Sequence, residues 1–223
     1  MTSSPVIELN ALQSDADIAA ARNRVIDELK SGAVIIAPLE SAYVLMCDAF
    51  NQEAVQKIHE IRGDAPGTAC QVLVGSHSTL SGIAAGLTPE LLKLAQSFWP
   101  GLLTLMVKPN PALNWDLGDG GELSHFAVRV PEGEFIRSVI SGVGPVAIAS
   151  ASLSGAPASQ NLDQTPALSS EIGVYVDAGE IASGPVSTVV SQTPSGAVEC
   201  TREGAISLNQ LREVFPQIGS TDY

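Results

Sequence analysis

Ala33-Val34-Ile35-Ile36-Ala37 is an unbroken apolar run ended by Pro38, and its reading decides the fold class. A short apolar stretch without polar alternation describes a strand buried on both faces, as where helices cover a sheet on either side. The flanking chain supplies those helices. Ser14 and Asp15 cap a predicted helix over residues 16–30, with Ile18, Ala21, Val25 and Leu29 at helical spacing and Gly32 just past its end. Asn51 offers the N-cap of a second helix with Ala54, Val55, Ile58 and Ile61 on its apolar face, and Val72-Leu73-Val74 is another buried strand. The pattern is β-α-β, which places the protein in the α/β class.

Further along, Thr88-Pro89-Glu90 joins an N-cap, an N1 proline and a first-turn acid, opening a helix that Pro100-Gly101 stops. Strands are predicted over residues 102–107, 126–130, 146–149, 174–176, 188–190 and 198–202, with a helix over 132–140 and a turn-rich insert at 109–121. Helices therefore concentrate in the first two-thirds of the chain, which argues for a mixed parallel and antiparallel sheet. The Ser/Ala/Gly/Pro-rich stretch 150–170 is long for a loop in a compact domain and reads either as a binding loop or as a mobile excursion.

Composition narrows the function. The 223 residues are 45% hydrophobic and 16% charged, so the chain has the apolar surface a folded core needs. One domain is expected over residues 1–223. With 11 Lys+Arg against 24 Asp+Glu the net charge is −13, which repels phosphate backbones and argues against nucleic-acid binding. Cys47, Cys70 and Cys200 are odd in number and lack a C-x-x-C pair, which suggests neither a disulfide framework nor a zinc site. Without a basic and apolar leader or an apolar stretch of 18 residues, the expected location is the cytoplasm, with no membrane partner. Composition leaves the oligomeric state open.

Phosphate-loop, G-x-G-x-x-G, G-x-S-x-G and H-E-x-x-H signatures are missing. His59, His77 and His125 are isolated, and His59, beside Glu60 in a predicted helix, reads as part of a solvated face. Asp116 and Asp119 among Gly118, Gly120 and Gly121 read as an acidic turn rather than a metal loop. What stands out is polar chemistry at predicted strand ends: Glu40, Ser41 and Tyr43 after the first strand, Ser150-Ala151-Ser152-Leu153-Ser154-Gly155 after another, then Ser187-Thr188 and Arg202. In open α/β sheets ligands gather at strand termini, where hydroxyls and backbone amides can meet an anion. With Arg62 and Arg129 these groups predict a pocket for a small anionic ligand.

The ordered segments resemble the YrdC family, the threonylcarbamoyl-AMP synthases, over roughly residues 18–208. The family's P-T-E-T-x-Y-G-L appears as Pro38-Leu39-Glu40-Ser41-Ala42-Tyr43-Val44-Leu45, and its K-x-R as Arg62-Gly63-Asp64. F-W-P-G-P-L-T appears as Phe98-Trp99-Pro100-Gly101-Leu102-Leu103-Thr104, and A-V-R-x-P as Ala127-Val128-Arg129-Val130-Pro131. S-A-N-x-S-G becomes Ser150 to Gly155, and Ser187-Thr188-Val189 with Arg202-Glu203-Gly204 closes the series.

The resemblance implies a twisted mixed α/β open sheet with flanking helices and a concave cavity. It implies condensation of L-threonine, bicarbonate and ATP to threonylcarbamoyl-AMP for adenosine modification in tRNA. By position, Ser41, Tyr43, Arg129 and Ser187 are implied for threonine. Arg62, Ser150 and Ser152 are implied for catalysis, and with Arg202 for the nucleotide, with Mg²⁺ arriving on ATP and no protein-held metal. The chain departs from the family at Asp64 for arginine, Ser152 for asparagine and Val44 for glycine. A free carboxylate at Asp64 opposes a triphosphate, since unit charges 4 Å apart at an effective dielectric near 20 interact by about 4 kcal/mol. Val44 puts a β-branched side chain where glycine permits unusual backbone angles. These departures set a second reading beside the enzyme: a non-catalytic paralogue binding a nucleotide or small amino acid.

Overall fold

In the computed structural model, which describes residues 4–122, 124–166, 172–193 and 196–220, the apolar run forms a strand over Val34–Pro38 with every residue buried. In chain order the elements are β1 (Val6–Glu8), α1 (Asp15–Lys30), β2 (Val34–Pro38), β3 (Tyr43–Asp48), α2 (Gln52–Arg62), β4 (Gln71–Leu73), α3 (Leu80–Ile83), β5 (Ala84–Ala85) and α4 (Pro89–Phe98). There follow β6 (Leu103–Pro109), β7 (Phe126–Arg129), α5 (Glu134–Val143), β8 (Val146–Ser150), β9 (Ile172–Asp177), β10 (Thr188–Gln192), β11 (Val198–Arg202), α6 (Leu208–Val214) and β12 (Gly219–Ser220). The strand order is β1-β9-β2-β3-β8-β4-β7-β6-β10-β11-β12, with β5 paired to β6 off this path. The sheet is mixed, as expected: β2 runs parallel to β9 but antiparallel to β3, and β4 parallel to β7 but antiparallel to β8.

The local signals act as read. Ser14 closes a capping box with Asp17 at the start of α1, Asn51 caps α2 through Ala54 N–H, and Thr88 caps α4 through Leu91 N–H. The β-α-β reading misses β3. Five of its six residues are buried, so no alternation marks it, and Leu39 N–H donates to Ala42 O at 2.9 Å to close a hairpin between β2 and β3. Residues 39–42 are thus a hairpin turn. Val44 lies in extended pairing between Ala37 and Ser150, and among the described residues no non-glycine has a positive φ, so the glycine conformation expected to matter there is not used.

Two cores flank the sheet. On one face, Val25 and Leu29 of α1 and Ile136, Val139 and Ile140 of α5 cover Ile35, Val44, Met46, Ile148 and Val174. The other face places α2 and α4 over Ile36, Tyr43, Leu45, Val72 and Leu105. Side chains of β3 alternate between these cores, as period-2 geometry requires. The chain beyond 204 packs onto this body: α6 buries Leu211, Lys93 Nζ of α4 donates to Val214 O at 2.8 Å, and β12 joins β11.

Loop 150–166 is anchored by Ser159, a buried residue whose hydroxyl lies 2.6 Å from Ala151 O and 3.0 Å from Gln164 O. Residues 167–170 of the long predicted loop lie outside the described residues. Among those described, no helix is long and apolar enough to cross a membrane.

Candidate functional site

Strand ends and one helix end converge on a cavity of about 420 Å³. The β2–β3 turn contributes Glu40 and Ser41, the end of α2 Arg62, the ends of β7, β8 and β11 Arg129, Ser150 and Arg202, and the segment before β10 Ser187. Six of the eight predicted site residues therefore line one space. Tyr43 and Ser152 do not. Tyr43 is buried beneath the turn, its hydroxyl 2.9 Å from Asp177 Oδ1 and 2.7 Å from Gly179 O while accepting from Ala178 N–H, so it joins β3 to the end of β9. Ser152 is buried with its Oγ 2.9 Å from Ser150 Oγ, and reaches the cavity only through that partner.

The arginines are tied to the protein. Arg129, 5% exposed, donates Nη1–H to Glu40 Oε1 at 2.7 Å and Nη2–H to Glu40 Oε2 at 2.8 Å, and Glu40 Oε1 also accepts from Glu132 N–H. Burial works to raise the Glu40 carboxyl, but Arg129 and the Glu132 amide hold it below the usual carboxylate range. Arg62 donates Nε–H to Asp64 Oδ2 at 2.8 Å and Nη1–H to the carbonyl oxygens of Ser150 at 2.5 Å and Ser152 at 2.9 Å. Arginine carries five N–H donors, and among the described residues no hydrogen bond engages the Nη2 pair.

Asp64 is the main correction to the sequence reading. Gly63 ends α2 at φ 66°, a left-handed turn that lets Asp64 N–H reach back to His59 O at 3.0 Å. The carboxylate, 2% exposed, thereby meets Arg62 and His59 Nδ1, the latter at 2.9 Å. Burial again opposes ionisation, and the hydrogen bonds from Arg62 and His59 keep the carboxyl lowered. Asp64 is an internally neutralised partner of Arg62, not a free anion facing phosphate. His59 is likewise not on a solvated face: its side chain is 13% exposed and its Nε2 lies 2.9 Å from Leu117 O.

Cys70 Sγ sits 3.4 Å from that Nε2, so Cys70, His59 and Asp64 stand in the order of a thiol triad. Burial with Asp64 nearby pushes the Cys70 thiol up to about 12, so the arrangement does not make a nucleophile. On the opposite wall Gln71 Nε2–H donates to Thr104 Oγ1 at 3.1 Å, Thr104 Oγ1–H to Ser187 Oγ at 2.8 Å, and Arg202 Nη2–H to Ser187 O at 2.9 Å and Oγ at 3.1 Å. Gln71 and Thr104 were not singled out from sequence because their role arises where β4, β6 and β10 bring them together. The glycine after α2 was the available signal for the Asp64 contact.

The Sua5/YciO/YrdC family model, described as telomere recombination, matches residues 27–204, and the chain belongs to this family. A Mycobacterium leprae relative, provisionally named a threonylcarbamoyl-AMP synthase, is 35% identical over 190 residues, 84% of each chain. The threonylcarbamoyl-AMP synthase of Bacillus subtilis is 33% identical over 85% of this chain and 55% of its own length. Among solved structures, Pyrococcus abyssi Sua5 complexed with L-threonine superposes with a TM-score of 0.79 at 25% identity, covering 99% of this chain and 63% of that one. Escherichia coli YciO shares the fold with a TM-score of 0.76 at 20% identity, over 95% of this chain and all of that one.

Proposed function

We propose that the protein condenses L-threonine, bicarbonate and ATP to threonylcarbamoyl-AMP, a nucleotidyl transfer in the cytoplasm whose product serves adenosine modification in tRNA. The observation that carries this reading is the meeting of Ser41, Arg62, Arg129, Ser150, Ser187 and Arg202 around one cavity, in a family with an L-threonine complex. The threonine amine adds to bicarbonate with loss of water, and the resulting carbamate oxygen displaces pyrophosphate from the α-phosphate of ATP.

In this reading the residues act by position and charge. Ser41, Arg129 and Ser187 form the threonine side, and the Glu40 pair fixes the Arg129 plane before the ligand arrives. Arg62 offers its Nη2 edge and Ser150 its hydroxyl to bicarbonate and phosphate, and Arg202 approaches the nucleotide from across the cavity. The residues do not fit a protein-held Mg²⁺. Glu40 and Asp64 are each ion-paired to an arginine, and among the described residues no three His, Cys, Asp or Glu side chains group to hold a metal. Magnesium in this reading arrives with ATP.

The test is incubation of the purified protein with ATP, Mg²⁺, L-threonine and bicarbonate, with mass-spectrometric detection of threonylcarbamoyl-AMP and pyrophosphate beside an active relative. Product above the blank is expected. Its absence with the control active, together with saturable binding of threonine or nucleotide, selects the non-catalytic binding protein.

A further inference from the structure

His59 carries more hydrogen bonding than its place on α2 requires. Both ring nitrogens face acceptors, Nδ1 toward Asp64 Oδ2 and Nε2 toward Leu117 O, each at 2.9 Å. A carbonyl cannot donate, and the Asp64 carboxylate already accepts from Arg62 at 2.8 Å, so both contacts are hydrogen bonds only when the ring carries two protons. The surrounding loop is formed around this ring: Gly118, at φ 106°, lies so close that a Cβ there would stand 2.0 Å from His59 Nε2.

Asp64 Oδ2 therefore faces two donors, Arg62 Nε–H and the Nδ1 edge of His59. Arg62 is clamped on one side by Asp64 and on the other by the carbonyl oxygens of Ser150 and Ser152, which leaves its Nη2 edge for the cavity. With His59 doubly protonated, the trio His59, Asp64 and Arg62 has a net charge of one positive unit. When the ring loses a proton the trio is neutral; a ring that keeps its proton on Nδ1 still donates to Asp64, and its Nε2 then accepts from Cys70 Sγ–H at 3.4 Å.

We propose that His59 is a positioning residue, whose Nδ1–H holds Asp64 against Arg62 and whose second proton sets the positive charge that the cavity wall presents to the triphosphate. This rests on the reading of the cavity as an ATP site. The other groups around the ring are accounted for. Cys70 is a neutral thiol at 3.4 Å. Glu60 on the same helix is exposed and accepts from Gln56 Nε2. Glu53, Asp116 and Asp119 line a neighbouring cavity together with His59; Asp116 Oδ1 accepts from the amides of Gly118 and Gly120, and both Asp119 carboxylate oxygens are buried without a hydrogen-bond partner among the described residues.

The experiment compares the full-length protein with His59→Gln, which keeps a polar side chain of similar size but no titratable charge. ATP dissociation constants are measured by calorimetry at about pH 6 and about pH 8.5, with thermal unfolding followed in parallel and threonylcarbamoyl-AMP formation assayed on the same samples. The variant-to-wild-type ratio cancels the titration of ATP itself. A ratio of about ten at the acid end, falling to near one at the alkaline end, is expected, with KM for ATP moving and kcat within about twofold. A ratio that is the same at both pH values, or near one at acid pH, overturns the role of His59, since a purely structural loss does not follow the imidazole proton. Should the wild type bind ATP with the expected ratio yet form no product, the synthase reading fails and the His59 assignment stands. Failure of the wild type to bind ATP overturns both.

Discussion

Arg129 and Glu40 meet edge to edge, each carboxylate oxygen facing one guanidinium nitrogen at 2.7 and 2.8 Å, with both side chains nearly removed from solvent. The pair joins the β2–β3 turn to the end of β7, so the site is closed by charge between segments far apart in sequence. Two-point geometry of this kind specifies direction as well as attraction, and lysine cannot reproduce it.

Glu40→Gln leaves the Arg129 charge buried without its counter-ion and is expected to lower stability by about 3 kcal/mol in urea unfolding at neutral pH. The folded-state Glu40 carboxyl lies below its unfolded value, so the unfolded chain binds more protons between the two. The stabilisation is therefore fully present above the unfolded carboxylate range and is lost as pH falls through the folded value. Unfolding measured from neutral to acid pH should show a shallower acid limb in Glu40→Gln; an unchanged slope would mean that the pair does not govern it.

Tyr43→Phe separates a structural role from a ligand role. The hydroxyl has partners at Asp177, Ala178 and Gly179 and does not line the cavity, so its removal is expected to cost about 1–2 kcal/mol while KM for threonine and ATP stays within about twofold. A large rise in the threonine KM with stability unchanged would return Tyr43 to the threonine subsite that its motif position implies.

The three cysteines should resist alkylation in the native protein. Cys47, Cys70 and Cys200 are all buried, and burial raises each thiol, so little thiolate forms and reagent access is poor. Iodoacetamide at about pH 8 is expected to modify none within an hour and all three in denaturant, as counted by intact mass. Rapid native labelling of Cys70 would show that the cavity wall opens and would weaken the closed geometry of His59, Asp64 and Arg62.

Much of the fold was legible because its signals are local. The Ser14 capping box, the Asn51 cap and the Thr88-Pro89 start all act within one helical turn, and the apolar run at 33–37 needs no partner to declare itself buried. Strand β3 escaped because burial on both faces removes alternation, and α6 because a helix with the single buried residue Leu211 leaves little periodicity to see. The site was half legible: hydroxyls and arginines at strand ends pointed to an anion pocket, whereas the partners of those arginines did not appear.

Sequence alone determined the α/β class, the mixed sheet, the order of the motifs and the six polar residues that meet at the cavity. Tertiary structure decided the charge state of that cavity. Asp64 reads in sequence as an anion set against phosphate; the left-handed turn at Gly63 folds it back onto Arg62 and His59, and the same carboxylate becomes the clamp on the cation. Electrostatic energy depends on distance and on exclusion of water, and neither quantity exists until the chain has closed.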